Sequence, residues 1–437
     1  MLNRQDLLRL GCCALVMMLG ACTKKEIPQG TRIAVWEQNT KVRPDVADGS
    51  AQIKIAPAAG VENWLQAEAN AQHVLPHANV NTQFQKQWKT DFGTGSSRRE
   101  VLMAKPVVKN NVVYMLDADG RLSAFKLQDG EQIWRVELLS QNKYAGATSM
   151  KGVGLAMADD TIFVTTGFGA VVAVKAKDGT KIWEQNLRSP LRIAPSVAAG
   201  KVFVQSINNR IYALSTINGE ILWDYDIASE HTTLVGGAPV AYSPALDVAV
   251  TGFSNGEIQA FGATIGTPLW SDNLVANRQA YSSTALHTVK AAPVIEGETV
   301  YALGTADVLA AIDMRSGTRR WEKAIGGTQT PLLSGNTLFV ISEAKELIAL
   351  DKSNGNILWA KALDLGKKAD EITVFAPLMV NNHLLLTLSD GRVMLYEPKT
   401  GQKVNEVNLD EKFNATPVAA QGYILFTTAN AKIIAYK

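Results

Sequence analysis

Tryptophan recurs through this chain at near-constant spacing, and no other feature limits the possible folds as much. Seven indoles fall at Trp88, Trp134, Trp183, Trp223, Trp270, Trp321 and Trp359, separated by 38 to 51 residues. Six of them stand four positions after a glycine, at Gly130, Gly179, Gly219, Gly266, Gly317 and Gly355. Gly401 continues the series, but Asn405 occupies the next tryptophan position. A mean period of about 45 residues is the length of one four-stranded propeller blade.

Residues 104–138 show what one unit contains. Val107-Val108 is a short apolar strand, and Asn110-Asn111 is a turn, because asparagine tolerates positive φ. Val112 to Leu116 is a β-branched and aromatic strand. Asp119-Gly120 and Asp129-Gly130 are hairpin signals on either side of the alternating run Leu122 to Phe125. Gln132 to Val136 then alternates around Trp134, which makes four antiparallel strands. Prolines at 106, 195, 239, 293, 331, 377 and 417 recur at the start of first strands, where a missing N–H is tolerated.

Counting first strands gives eight units, one of which, near Leu155-Ala156, lacks the proline. The last unit stops at Lys437, one strand short, whereas Gln83 to Thr90 is a Trp-bearing fourth strand with no unit of its own. A closed ring resolves both, since the early strand completes the last blade and removes an exposed edge. The predicted fold is all-β: an eight-bladed β-propeller of four-stranded antiparallel blades over residues 83–437, closed by the N-terminal Trp-bearing strand. A parallel β-helix would need shorter periods, and an open solenoid would need capping repeats. The tryptophans read as core rings, one per blade, and Asp119, Asp129, Asp178 and Asp390 read as turn residues before glycine.

The first residues carry an address. Arg4 and Arg9 precede the eleven-residue apolar run Leu10 to Gly20, too short for a membrane-spanning helix but right for a secretory signal. It ends in Leu19-Gly20-Ala21-Cys22, which resembles a bacterial lipobox. The expectation is a signal peptide over 1–21 and lipidation of Cys22. Cys12 and Cys13 would leave with the signal. Thr23 rather than Asp after the cysteine implies outer-membrane sorting, with the protein facing the periplasm. The formal charge of +2, with 43 basic and 41 acidic residues and no basic run, gives no support to a nucleic-acid partner.

Residues 22–82 read as a lipidated tether, being rich in proline and glycine. A flexible coil of that length would reach roughly 40 Å. Within it Glu62 to Gln72 is a candidate short helix, with Trp64 expected to dock on the propeller. His73 and His77 have a two-ligand metal spacing, but Pro76 lies between them and no third ligand is near, so they read as solvated loop histidines.

The units resemble the repeat of pyrroloquinoline-quinone (PQQ) enzymes: x-P-V-x-x-(N/G)-x-(V/L)-(Y/F), then (D/N)-G-x-(L/I)-x-A-(L/F), then G-x-x-x-W. That repeat is shared by quinoprotein dehydrogenases and by the BamB-type lipoproteins of outer-membrane β-barrel assembly. WKTDFG at 88–93 and NNVVYMLDADGRLSAFKLQDGEQIW at 110–134 are similar to the opening blade of the BamB family, and the likeness runs from Trp88 to Tyr436. It implies a non-enzymatic scaffold of the BAM complex, without cofactor, metal or catalytic residue. Its partners would be the POTRA domains of BamA, the other BAM lipoproteins and unfolded outer-membrane proteins. The alternatives are a periplasmic PQQ-dependent dehydrogenase and an interaction lipoprotein with another partner. Against the dehydrogenase stand the loss of the only vicinal cysteine pair with the signal and the lack of a D-x-D-x-D-G calcium loop.

The resemblance places the BamA contact in loops before Pro239 and Pro293, here Glu230 to Ala238 and Asn277 to Ala292. The implied contact residues are Thr233, Leu234, Val235, Tyr281, Leu286 and Lys290. The family commonly carries a leucine/arginine pair in the first loop and acids in the second. This chain has no arginine in the first, and Thr288 and Lys290 stand where acids are expected.

Overall fold

A computed structural model describes residues 42–47, 52–97, 102, 104–138, 152–227, 237–275 and 287–437. The described residues form eight four-stranded antiparallel sheets. Seven are built from consecutive strands: blade 1 (residues 107–137), blade 2 (152–186), blade 3 (196–226), blade 4 (241–273), blade 5 (294–323), blade 6 (332–362) and blade 7 (378–408). Blade 8 takes three strands from 418–436 and its fourth, Lys86–Asp91, from the other end of the chain. The eight-bladed propeller expected from the Trp period is the fold observed. The first strand near Leu155 is the longer Gly152–Ala158.

The residue pattern of each blade follows from its cross-strand rows. Opposite every tryptophan of a fourth strand stands an alanine of the third: Ala124 faces Trp134, Ala213 faces Trp223, and Ala349 faces Trp359. The small alanine leaves room for the indole to reach an aromatic ring on the second strand, as with Tyr114 and Trp134 (ring centroids 6.0 Å apart) or Phe163 and Trp183 (5.8 Å). Such aromatic pairs add about 0.5–1.5 kcal/mol beyond the area they bury.

The same indoles join neighbouring blades. Each ring N–H donates to a backbone carbonyl of the next blade: Trp88 to Leu127 at 2.8 Å, Trp183 to Thr216 at 3.0 Å, Trp223 to Ala263 at 2.9 Å, and Trp270 to Met314 at 2.8 Å. The repeat glycine of that next blade lies against the ring. Gly219 has φ +73°, and a Cβ there would come within 2.5 Å of the Trp183 ring. The Gly-x-x-x-Trp spacing is thus two contacts with different partners: the glycine receives the preceding indole, and the tryptophan reaches the following glycine.

This explains Asn405. An indole at 405 would have to dock on a turn between the third and fourth strands of blade 8, but those strands, Lys432–Tyr436 and Lys86–Asp91, are not consecutive in the chain and no turn joins them. The residue opposite changes with it, for Leu395 replaces the alanine. The seam itself is an antiparallel ladder that pairs Trp88 with Ala435 and Asp91 with Lys432, with a register shift between Lys86 and Trp88. Gln85 and Lys437 exchange backbone hydrogen bonds at 3.3 and 3.0 Å, and Lys432 forms an ion pair with Asp91 at 2.5 Å.

The tether expectation is corrected for residues 52–82, and so is the helix over 62–72. The segment is an irregular arm laid along the innermost strands, with Ile53, Trp64, Leu75 and Val80 buried in the same core cluster as blades 6, 7, 8 and 1. Trp64 is docked as expected, 1% exposed, and pairs with Val108 through two backbone bonds of 2.8 Å. A helix would keep its N–H and C=O groups to itself, whereas here they bond to strand edges that would otherwise be unpaired. The chain enters at Asp45, which is held by the Ile357 backbone and by the Lys323 amino group at 2.8 Å.

Candidate functional site

Successive strands of a blade run in opposite directions, so each blade has two ends. The connections between blades emerge at one end, together with the turns between second and third strands. The two loops singled out in the sequence both emerge there, on either side of blade 4. Thr233, Leu234, Val235, Tyr281 and Leu286 lie outside the described residues. The roots of both loops are described, and they converge on one short stretch of blade 4.

In the first root, the Ala238 N–H donates to the Gly252 carbonyl at 3.1 Å, and the Thr251 hydroxyl donates to the Ala238 carbonyl at 2.7 Å. In the second, the Val289 N–H donates to the Phe253 carbonyl at 3.0 Å. Val289 packs against Gly252 so closely that a Cβ there would lie 2.2 Å from its Cγ1. Glycine at 252 is therefore a packing requirement. The second root is braced again by Thr305, whose hydroxyl donates to the Thr288 carbonyl at 3.1 Å. Rigid roots hold loops in place without fixing their sequence, the usual arrangement for contact surfaces.

Lys290 is the one implied contact residue within the described set, and it is exposed. Its charge acts on an acid of blade 6, Glu343. Loss of solvent raises the Glu343 carboxyl above its usual range, the Asp307 charge raises it further, and Lys290 pulls it back. An acid missing from the loop itself is thus supplied near it by a turn of blade 6, and nothing in the local sequence of that turn marks it as a neighbour of Lys290.

His73 and His77 are not solvated loop residues, which corrects that expectation. His73 is 1% exposed and its Nδ1 donates to the Pro293 carbonyl at 2.9 Å. His77 is 6% exposed, with Nδ1 donating to the Ala56 carbonyl at 2.6 Å and Nε2 accepting the Asn382 N–H at 2.9 Å. Each ring is committed to the arm's packing on a different blade. Among the described residues no group of three or more His, Cys, Asp or Glu is gathered for a metal ion. A surface cleft between blades 1 and 2 is lined by Lys109, Tyr114, Asp160, Lys175 and Lys177. Burial pushes the Tyr114 hydroxyl up to about 12, and the Lys109 amino group is taken by the Asp159 carbonyl and the Asp160 carboxylate.

A family model described as "Outer membrane protein assembly factor BamB" matches residues 81–150, 118–361 and 338–437, which together span the whole propeller. The chain belongs to the BamB family. A BamB of Yersinia pestis is 24% identical over 379 residues, covering 85% of this chain and 94% of the relative. The crystal structure of BamB from Moraxella catarrhalis superposes with a TM-score of 0.64 at 17% identity, covering 80% of this chain and 97% of that one. A quinohemoprotein alcohol dehydrogenase from Pseudomonas putida gives a TM-score of 0.67 at 15% identity, covering 86% and 80%. At such identities the two solved structures share the fold with this BamB-family chain, and family membership rests on the match along the sequence.

Proposed function

We propose that this chain is a non-enzymatic scaffold of the outer-membrane β-barrel assembly machinery. It is anchored by lipid on Cys22 to the outer membrane, faces the periplasm, and binds the POTRA domains of BamA alongside the other lipoproteins of that complex. In this role it assists the folding and insertion of barrel proteins. The observation that carries the proposal is the family match over residues 81–437. The shared roots of the two loops on blade 4 support a single contact surface made from both.

The test is capture of BamA by the full-length protein from solubilised membranes. Leu234→Asp with Leu286→Asp should abolish capture while the far-UV circular dichroism stays unchanged, because binding energy concentrates in apolar anchors. Full retention of BamA by the double variant would reject the loop surface, and failure of the wild type to capture BamA would reject the partner. In the same membranes Cys22→Ser should move the protein to the soluble fraction. A wild-type protein found soluble and unacylated would reject the anchor.

A further inference from the structure

The arm visits every blade. One backbone N–H from the inner strand, or inner turn, of each blade donates to it. Val108 of blade 1 donates to the Trp64 carbonyl at 2.8 Å and Met157 of blade 2 to Leu65 at 2.8 Å. Val197 of blade 3 donates to the Gln66 side-chain oxygen at 3.1 Å, and the Gln66 amide donates back to the Val197 carbonyl at 2.8 Å. Tyr242 of blade 4 donates to Ala71 at 2.7 Å and Ile295 of blade 5 to Gln72 at 2.9 Å. Asn336 of blade 6 donates to Lys54 at 3.0 Å, Asn381 of blade 7 to Ala78 at 2.9 Å, and Gln421 of blade 8 to Val61 at 2.6 Å.

In chain order the arm bonds to blade 6, then to blades 8, 1, 2, 3, 4 and 5, and last to blade 7. There it meets its own beginning. The Ala59 N–H donates to the His77 carbonyl and the Asn79 N–H to the Ala59 carbonyl, both at 2.9 Å. The result is a circle of chain, closed by its own parallel bridge, inside a circle of blades. Glu68 and His73 are buried within it, and Lys105 forms an ion pair with Glu68 at 2.6 Å.

We infer that residues 52–82 are a permanent internal occupant of the channel mouth, so that the propeller binds partners or axial ligands from one face only. The inner edges of all eight blades are the strand edges that would otherwise recruit an extended peptide from outside. The chain's own arm takes them in cis. The turns that carry several of these contacts, at Asn336, Asn381 and Gln421, join first to second strands. The inter-blade connections, including 228–236 and 276–286, enter the first strands from the opposite end. The arm therefore lies at the end away from the candidate contact loops. This inference does not depend on which partner those loops take.

Hydrogen exchange on the full mature protein tests it, alone and with the periplasmic domains of BamA added. The eight donor amides named above should be as protected as the ladder amides of the middle strands, and added BamA domains should leave them so. Exchange of these amides about 100-fold faster than the ladder in the protein alone would overturn the inference by showing an arm that opens freely. Loss of their protection on adding BamA would also overturn it, by showing that the arm is a displaceable lid. If BamA does not bind, the measurement on the protein alone decides the matter, which separates this failure from failure of the partner proposal.

Discussion

Trp88→Ala tests whether the ring is closed by the same contacts that hold the other blades together. The indole is 9% exposed, lies against Gly130 of blade 1, and donates to the Leu127 carbonyl at 2.8 Å. Removing a buried indole costs about 3–5 kcal/mol through lost transfer energy and the cavity left behind. The orphaned Leu127 carbonyl keeps the loss toward the upper end of that range, since an unpaired buried acceptor itself costs about 1–3 kcal/mol. Trp270→Ala, at the equivalent place between blades 4 and 5, should lose a similar amount. Asn405→Ala should change stability by less than about 0.5 kcal/mol, because that exposed side chain has no turn to dock on. Urea unfolding followed by far-UV circular dichroism on the Cys22→Ser background reads all three as shifts in midpoint. A loss below about 1 kcal/mol for Trp88→Ala beside several kcal/mol for Trp270→Ala would refute the reasoning. It would mean that the strand ladder, and not the indole, holds the seam.

Two glycines with nearly the same backbone separate strain from contact. Gly219 (φ +73°) abuts the Trp183 ring, whereas Gly200 (φ +72°) has open space where a Cβ would sit. Gly200→Ala should cost only the left-handed strain of about 1–2 kcal/mol, and Gly219→Ala clearly more, with equal losses counting against the interblade role. For His73, burial holds the pKa below its ordinary value; the nearby Glu68 charge and the bond to Pro293 oppose this, and Lys105 adds to it. The unfolded chain therefore takes up a proton below pH about 6.5 that the folded chain refuses. That part of the stability is complete above pH 6.5 and falls as pH drops, by up to about 1.4 kcal/mol per pH unit. Relative to the wild type, His73→Gln should gain stability between pH 7 and pH 5, and parallel pH profiles for the two proteins would contradict the assignment.

Much of the fold was legible because its information is local and repeated. Val112 to Leu116 declares a strand by its own composition, Asn110-Asn111 declares the turn before it, and both recur in kind every blade. Closure was legible as a deficit: three strands at one end of the chain and one spare at the other. The candidate loops were legible only through resemblance, since nothing in their composition distinguishes them from other connections. Asn405 was visible as a break in the series, but its reason was not, because the missing turn belongs to a blade assembled from strands far apart in the sequence.

The sequence by itself determined the blade, the number of blades and the strand that closes the ring, since each rests on residue types whose preferences act over a few positions. Tertiary structure alone decided the course of residues 52–82. Their bonds run from backbone groups, which every residue carries, to edges up to about 360 positions away, so no periodicity or composition records them. The same cause hid the burial of His73 and His77 and the effect of Lys290 on Glu343. A circle of strand edges exists only once the ring has closed, and only then does an arm that looks like a linker have eight partners to bind.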